Sequence, residues 1–241
     1  MPAPHELTDR LGSPSAARLD PEAVRVLVWN VYKGRRRSFG PRFRELASAS
    51  DLILAQELYL DDGIRAHLHA HPLEWTTATS FHYARRDHVA TGLGTAARAP
   101  ALRAHALQTD GREPLTRTPK LALLTEHHIG DRLLLVANVH AINFAGYAHF
   151  DAQLAEVEAQ LHDHAGPLLL AGDFNTWSRR RHRRLEQLVS RIGLDPVEFE
   201  DDRRTNVLDH AFVRALEVGE ARVEDSRASD HAALRFELTG K

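Results

Sequence analysis

Residues 168–177 read LLLAGDFNTW: three leucines and an alanine run directly into Gly172, Asp173, Phe174, Asn175, Thr176 and Trp177. So short and wholly apolar a run reads as a strand covered on both faces. It nevertheless carries two polar side chains to its end. Polar groups buried at the end of a sheet cost free energy unless they are hydrogen-bonded or hold an ion. One such ending is accounted for by a local bond or a helix cap, for which Thr176 and Ser178 are both candidates. The same ending recurs, however, at Trp29-Asn30, Gln56-Glu57, Asn138 with His140, Asp209-His210 and, opening the last strand, Asp230-His231. If these strands lie side by side, the six endings converge on one rim rich in carboxylates, amides and imidazoles. That composition fits a hard divalent cation held by oxygen ligands, with histidines handling phosphate or protons.

Working outward, strand-like runs occupy 24–31, 51–58, 120–129, 132–140, 166–174, 207–214 and 231–238. Gly130-Asp131 joins two of them as a hairpin, with His127 and His128 expected on its solvated surface. Apolar residues recur at helical spacing at Phe150, Leu154, Val157 and Leu161, and again at Leu185, Leu188, Val189 and Ile192. These predict helices over 147–164 and 178–192, with shorter ones at 40–49 and 61–70. Segments 76–90 and 98–119 read as irregular rim loops, the latter with some strand. Residues 1–20 read as a loosely ordered tail before one domain over 21–241. Many short strands with a few helices between them predict a layered α/β domain built on packed sheets.

Composition narrows the function. The chain has 241 residues, 43% of them hydrophobic, and a formal charge of −2. A core can be buried, and a globally basic nucleic-acid coat is excluded. With no cysteine, disulfides and thiolate-ligated zinc are excluded as well. No apolar run approaches the roughly 20 residues of a membrane span. The first 20 residues lack the apolar stretch of a signal peptide, so a cytoplasmic protein is expected.

In order, the pieces VWN (28–30), AQE (55–57), NVH (138–140), GDFN (172–175), LDH (208–210) and SDH (229–231) resemble the endonuclease/exonuclease/phosphatase superfamily, the deoxyribonuclease-I-like proteins. The resemblance spans about residues 24–238, and its longer strings look most like a bacterial branch. It implies a four-layered α/β/β/α sandwich, two mixed sheets flanked by helices, with the site at one end of the sheets. The implied activity is hydrolysis of a phosphodiester by in-line attack of water with Mg²⁺, for which Mn²⁺ can substitute. The implied substrate is DNA or RNA, and no protein partner is implied. Glu57, Asn30 and Asp230 would hold the metal. Asp173 would activate the water, Asn175 would donate to the phosphoryl oxygens, and His140 and His231 would contact phosphate, with Asp209 orienting His231. The alternatives are a small-molecule or lipid phosphoesterase of the same fold and a non-catalytic binding protein that kept it.

In some members of that superfamily the histidine matching His140 pairs with a glutamate, and no such partner is evident here. Asn143 is a further candidate for the phosphate, equally accounted for by a turn. The crowded arginines of SRRRHRRLE (178–186), Arg179 and Arg180 among them, are candidates to attract a polyanion, against the alternative of a solvated helix in an arginine-rich chain. In HLHAH (67–71) only His67 and His71 share a helical face, so no metal is expected there.

Overall fold

Val24–Asn30 (β2) shows how the core is organised. Val24, Val26 and Val28 face one cluster of buried side chains, and Leu27 and Trp29 face another. A strand buried on both faces in this alternation needs a layer above and a layer below it. The computed structural model, which describes residues 7–83, 88–114, 118–224 and 227–240, supplies both. Thr8–Gly12 (β1) precedes β2. Phe39–Ser48 (α1), Leu52–Tyr59 (β3), Asp62–His69 (α2), Glu74–Tyr83 (β4), Val89–Ala97 (β5) and Arg103–Gln108 (β6) follow. Then come Leu121–Ile129 (β7), Arg132–His140 (β8), Tyr147–His162 (α3), Leu168–Asp173 (β9) and Arg179–Ile192 (α4). Asp195–Pro196 (β10), Asp209–Arg214 (β11), Leu216–Glu224 (β12) and Ala233–Gly240 (β13) complete the chain.

The first sheet runs β1-β4-β5-β3-β2-β13-β12 and the second β10-β11-β9-β8-β7-β6. Val26, Val28, Leu52 and Leu54 of one meet Leu134, Val136, Leu169 and Ala171 of the other between the sheets. Outside the first sheet, Phe39, Phe43 and Leu46 of α1 with Ile64 and Leu68 of α2 cover Leu27, Trp29 and Ile53. Outside the second, Phe150, Leu154 and Val157 of α3 and Leu185 and Leu188 of α4 cover Ala137, Val139, Leu168 and Leu170. This is the expected α/β/β/α sandwich. Among the described residues no helix is long and apolar enough to cross a membrane.

Strand pairing gathers the polar endings. β2 runs parallel to β3, and β8 parallel to β9. The row of side chains between the sheets changes from apolar to polar at the same end of each strand: Val28 to Asn30, Leu54 to Gln56, Val136 to Asn138, and Ala171 to Asp173. β11 is antiparallel to β9 and sets Asp209 opposite Asp173. β13 is antiparallel to β2, which places the preceding His231 at that end too. Two amide bridges close the gap between the sheets there. Gln56 Nε2 donates to Asn138 Oδ1 at 2.8 Å, and Asn30 Nδ2 donates to Asp173 Oδ2 at 3.0 Å.

Several expectations are corrected. Within the stretch expected as a loose tail, Thr8–Gly12 is an edge strand paired with β4, and Leu19 is buried beside Ile129; residues 1–6 lie outside the described ones. The expected loop 76–90 is largely β4 and β5, with residues 84–87 outside the described ones. Its threonines hid the pattern, because Thr76, Thr77, Thr91 and Thr95 are buried although they count as polar. In 98–119, expected as strand and loop, the strand is β6, and residues 115–117 are not described. His127 is 1% exposed instead of solvated, and burial pushes its pKa down to about 4. Ser178 caps α4 by accepting from Arg181 N, whereas Thr176 donates to Val207 O and meets His210.

Candidate active site

Asp173 is the centre of the rim. Gly172 before it has φ +142°, and a Cβ there would overlap the Val139 carbonyl, so only glycine lets β9 lie this close to β8. The pairing sets Asp173 directly opposite His140. Its Oδ2 accepts from Asn30 and lies 3.5 Å from His140 Nε2 and 4.0 Å from His231 Nε2. Its Oδ1 accepts from the backbone N–H of Asn175 at 3.1 Å. Asn175, at φ 49°, donates through Nδ2 to Ala141 O at 2.9 Å, which aims its amide across the strand ends.

The second carboxylate aligns the histidine. Asp209 Oδ2 is 2.8 Å from His231 Nδ1, leaving Nε2 toward Asp173. His231 is tied to its own sheet, where Trp29 Nε1 of the neighbouring β2 donates to its carbonyl at 3.1 Å. Ser229 Oγ donates to Asn30 O at 2.6 Å and accepts from His231 N. The SDH turn is thus fastened to β2 on both sides.

Electrostatics follow from burial and neighbours. Burial, and next the Asp209 charge, raise the Asp173 carboxyl to about 7 against the pull of His231 and Asn30. Burial alone would depress His231, but the Asp209 bond and the charges of Asp209, Asp173 and Asp230 raise it to about 9. His140 lies well below its ordinary value, through burial and then the charges of Lys120, His231 and Lys33. It is neutral at pH 7. Burial would raise the Glu57 carboxyl, but Lys33, Lys120 and His231 hold it below the ordinary value.

Of the eleven residues singled out from the sequence, His140, Asp173, Asn175, Asp209, His231 and Asn30 form one contiguous group. Asn30 turns its amide to Asp173 and accepts from Tyr32 N through Oδ1. Glu57, expected beside it on a metal, is ion-paired with Lys33. Asp230 is exposed, touches the group through Ser229, and lines an open groove of about 610 Å³ with Asp209, His231 and Arg203. Asn143 is occupied structurally, because its Oδ1 accepts from Trp177 Nε1 at 3.0 Å. Arg179 and Arg180 are exposed, and Arg180 lies over the Tyr147 ring at 3.7 Å. Arg181 and Arg184 of the same cluster point inward instead. Arg181 donates to the carbonyls of Ile142, Asn143, Ala145 and Asn175, and Arg184 pairs with Asp151 and Glu158.

Sequence reasoning missed Lys33, Lys120 and Glu113. Lys120 Nζ lies 3.2 Å from His140 Nε2 and 3.5 Å from Glu113 Oε1, so His140 has a lysine and Asp173 as neighbours where a glutamate was sought. The available signal was scarcity, since lysine is rare in this chain.

The donor set suits a hard divalent cation. One ligand atom from each of Asp173, Asp209 and His231 lies within 4.8 Å of the others, but a protonated His231 has no lone pair to offer, so the donors are the carboxylate oxygens, among them Asp209 Oδ1, which is buried with no hydrogen-bond partner. Glu57 adds a carboxylate already balanced by a positive charge.

Comparison with known proteins agrees with this fold. Residues 27–231 match the model of the Endonuclease/Exonuclease/phosphatase family. The chain is similar to the UPF0294 protein of Vibrio vulnificus strain YJ016, 34% identical over 235 residues that cover 94% of this chain and 81% of that one. A UPF0294 protein of Yersinia pestis is 37% identical over 231 residues, covering 90% and 84%. Among solved structures, the human Nocturnin catalytic domain with bound sulfate superposes with TM-score 0.71 at 15% identity, covering 99% of this chain and 98% of that one. The endonuclease/exonuclease/phosphatase of Beutenbergia cavernae gives TM-score 0.70 at 17% identity, covering 90% and 72%. At these identities the superpositions speak for the fold.

Proposed function

Because the chain belongs to the Endonuclease/Exonuclease/phosphatase family, we propose that it is a divalent-cation-dependent phosphodiesterase that acts on nucleic acid. The observation that carries this reading is Asp173. It is a buried carboxyl raised to about 7, 4.0 Å from an imidazole that Asp209 keeps protonated. A base near neutrality beside an acid of higher pKa is what hydrolysis at pH 7–8 requires.

In the proposed reaction a water bound between Asp173 and Asn175 attacks phosphorus in line with the leaving oxygen. Asp173 takes the water's proton as the new P–O bond forms. The opposite P–O bond breaks, and His231 gives its Nε2 proton to the departing oxygen. Asp209 holds the imidazole in that orientation and stabilises its charged form. Neutral His140 and the amide of Asn175 hydrogen-bond phosphoryl oxygens as their charge redistributes. The proton on Asp173 returns to His231 across the short gap between them. Mg²⁺, or Mn²⁺ in its place, would be held by Glu57 with the neighbouring carboxylates and would supply charge neutralisation at the phosphoryl oxygens.

The nucleic-acid assignment is supported by the size of the groove beside His231, about 610 Å³, whose lining mixes Arg203 with Asp201 and Asp230 while Arg204 is held by Asp202. A small-molecule or lipid phosphodiester is the second reading, since the reacting group is the same. The test is cleavage of labelled single-stranded DNA, duplex DNA and RNA with Mg²⁺, alongside bis-p-nitrophenyl phosphate, with Asp173→Ala as control. Polymer cutting that vanishes in the variant supports a nuclease. Intact polymers with the small diester still hydrolysed move the substrate to the second class. No hydrolysis of any ester with Mg²⁺ or Mn²⁺ overturns the enzyme reading.

A further inference from the structure

Leu102, Phe144, Trp177 and Val207 are the large apolar side chains that stay exposed among the described residues. Three of the four sit on loops at the polar end of the second sheet. Phe144 follows β8, Trp177 follows β9 and Val207 precedes β11, strands that are neighbours in the order β11-β9-β8. The loops are bonded to one another, since Thr176 Oγ1 donates to Val207 O and Trp177 Nε1 donates to Asn143 Oδ1. Phe144 is 70% exposed and Trp177 58%. Apolar exposure gathered in one place beside a polar cleft marks a binding surface, where scattered single residues would mark nothing.

Trp177 is held in place as a ring. Its one donor is spent on Asn143, and the Arg181 guanidinium covers one face at 4.7 Å from the centroid. That guanidinium also donates to the carbonyls on either side of Phe144, those of Asn143 and Ala145, and to the carbonyl of Asn175. One buried group therefore fixes the ring, the Phe144 loop and the residue whose amide is aimed across the strand ends. The other face of Trp177 is left for a ligand. A flat π surface with no free hydrogen-bonding atom takes a second flat π surface without reading its edges. A membrane interface would use the wet N–H end of a tryptophan, and here that end is turned to Asn143. Arg179 and Arg180, next along the chain, are exposed.

We propose that Trp177 and Phe144 form a stacking platform for unpaired bases flanking the reacting phosphate, so that the enzyme takes single-stranded nucleic acid. This rests on the nucleic-acid reading and adds the strand's form to it. In a duplex the faces of the bases are already covered by their neighbours, and no face is free for the ring.

Trp177 reports on its own occupancy, because Trp29 and Trp75, the other tryptophans, are 1% and 0% exposed. With metal withheld by EDTA, a single-stranded DNA oligonucleotide should quench the emission of the full-length protein saturably. An abasic strand of equal length should not. Calorimetric titration should give the base-bearing strand an advantage of at least about fivefold over the abasic one. That advantage should fall below twofold in Trp177→Ala and be kept in Trp177→Phe, which retains a stacking ring. If Trp177→Ala fails to fold, Phe144→Ala should at least halve the advantage. Equal affinity for the two strands in wild-type protein overturns the platform, as does an advantage that survives removal of the rings. Quenching by phosphatidylcholine–phosphatidylglycerol vesicles with none by the strand overturns it too, and gives the surface to a lipid. If no ester is hydrolysed but base-dependent binding stands, the hydrolase reading falls and the platform remains. If esters are cut and the advantage is absent, the platform alone falls.

Discussion

Asp173 and His231 have their protonation set by each other and by Asp209, and the pH dependence of activity follows. Asp173 must be unprotonated to accept a proton, and it is raised to about 7. His231 must be protonated to donate one, and it is raised to about 9. The expected kcat/KM profile therefore climbs through pH 7 and falls through pH 9. In Asp209→Asn the leading cause of the His231 elevation is lost, so the alkaline limb should move down by roughly a unit or more. An unmoved limb in the measured profile would assign the falling limb to another group. Asp173→Ala should lower kcat by roughly 10²- to 10⁴-fold with the melting temperature kept, as steady-state kinetics and thermal unfolding would show. The residues proposed to react were legible in the sequence because polar residues at the ends of apolar strands need a reason to be there. Their neighbours were not. Nothing local to Lys120 states that it meets His140, since the bond spans a turn between antiparallel strands, and nothing in VYKG announces an ion pair with Glu57.

At the scale of elements, two residues hold the reactive strand ends in register. Gly172→Ala forces a side chain into the Val139 carbonyl at a positive φ, and should cost on the order of 3 kcal/mol or more, read as a drop in denaturant midpoint. Arg181 ties the start of α4 to the loop after β8 through three carbonyls and to the end of β9 through a fourth, that of Asn175. Arg181→Ala leaves those acceptors without their charged donor and should cost about 3 kcal/mol; a change within the error of the same denaturation curves would show that solvent replaces it. Elements with a strong period were legible: α3 and α4 came from recurring apolar residues, and β2, β3, β8 and β9 from apolar runs. β4, β5 and β12 were not. Thr76, Thr77, Thr91 and Thr95 are buried yet polar by type, and LEVGEARVE (216–224) carries charge along its exposed face. The arginine cluster misled for the opposite reason. Long cationic side chains read as solvated, but Arg181 and Arg184 reach inward because buried carbonyls and the carboxylates of α3 await them.

For the whole molecule, two buried histidines link stability to pH. His127 and His210 are each depressed to about 4, chiefly by burial. A depressed imidazole is neutral in the folded state, so its contribution is complete above pH 6.5 and is lost as pH falls toward 4. Each is worth about 3 kcal/mol over that window. The melting temperature should accordingly drop between pH 6.5 and 4, and less steeply in His127→Gln. Equal slopes would remove His127 from the account. The sequence by itself determined that strands end in polar clusters, in what order they come, and which residue types are available for chemistry, because burial patterning and side-chain identity are local properties. It also carried the family through six short motifs spread from β2 to β13. Only the tertiary structure decided which clusters touch. Asn30 and Asp173 are 143 positions apart, and Trp29 and His231 are 202 apart. The first contact exists because two sheets stack with their polar ends in register, and the second because β13 pairs with β2 inside one sheet. The same stacking brings Lys33 and Lys120 to one small cavity. Register between sheets is set by packing over the whole core, and no stretch of sequence contains it.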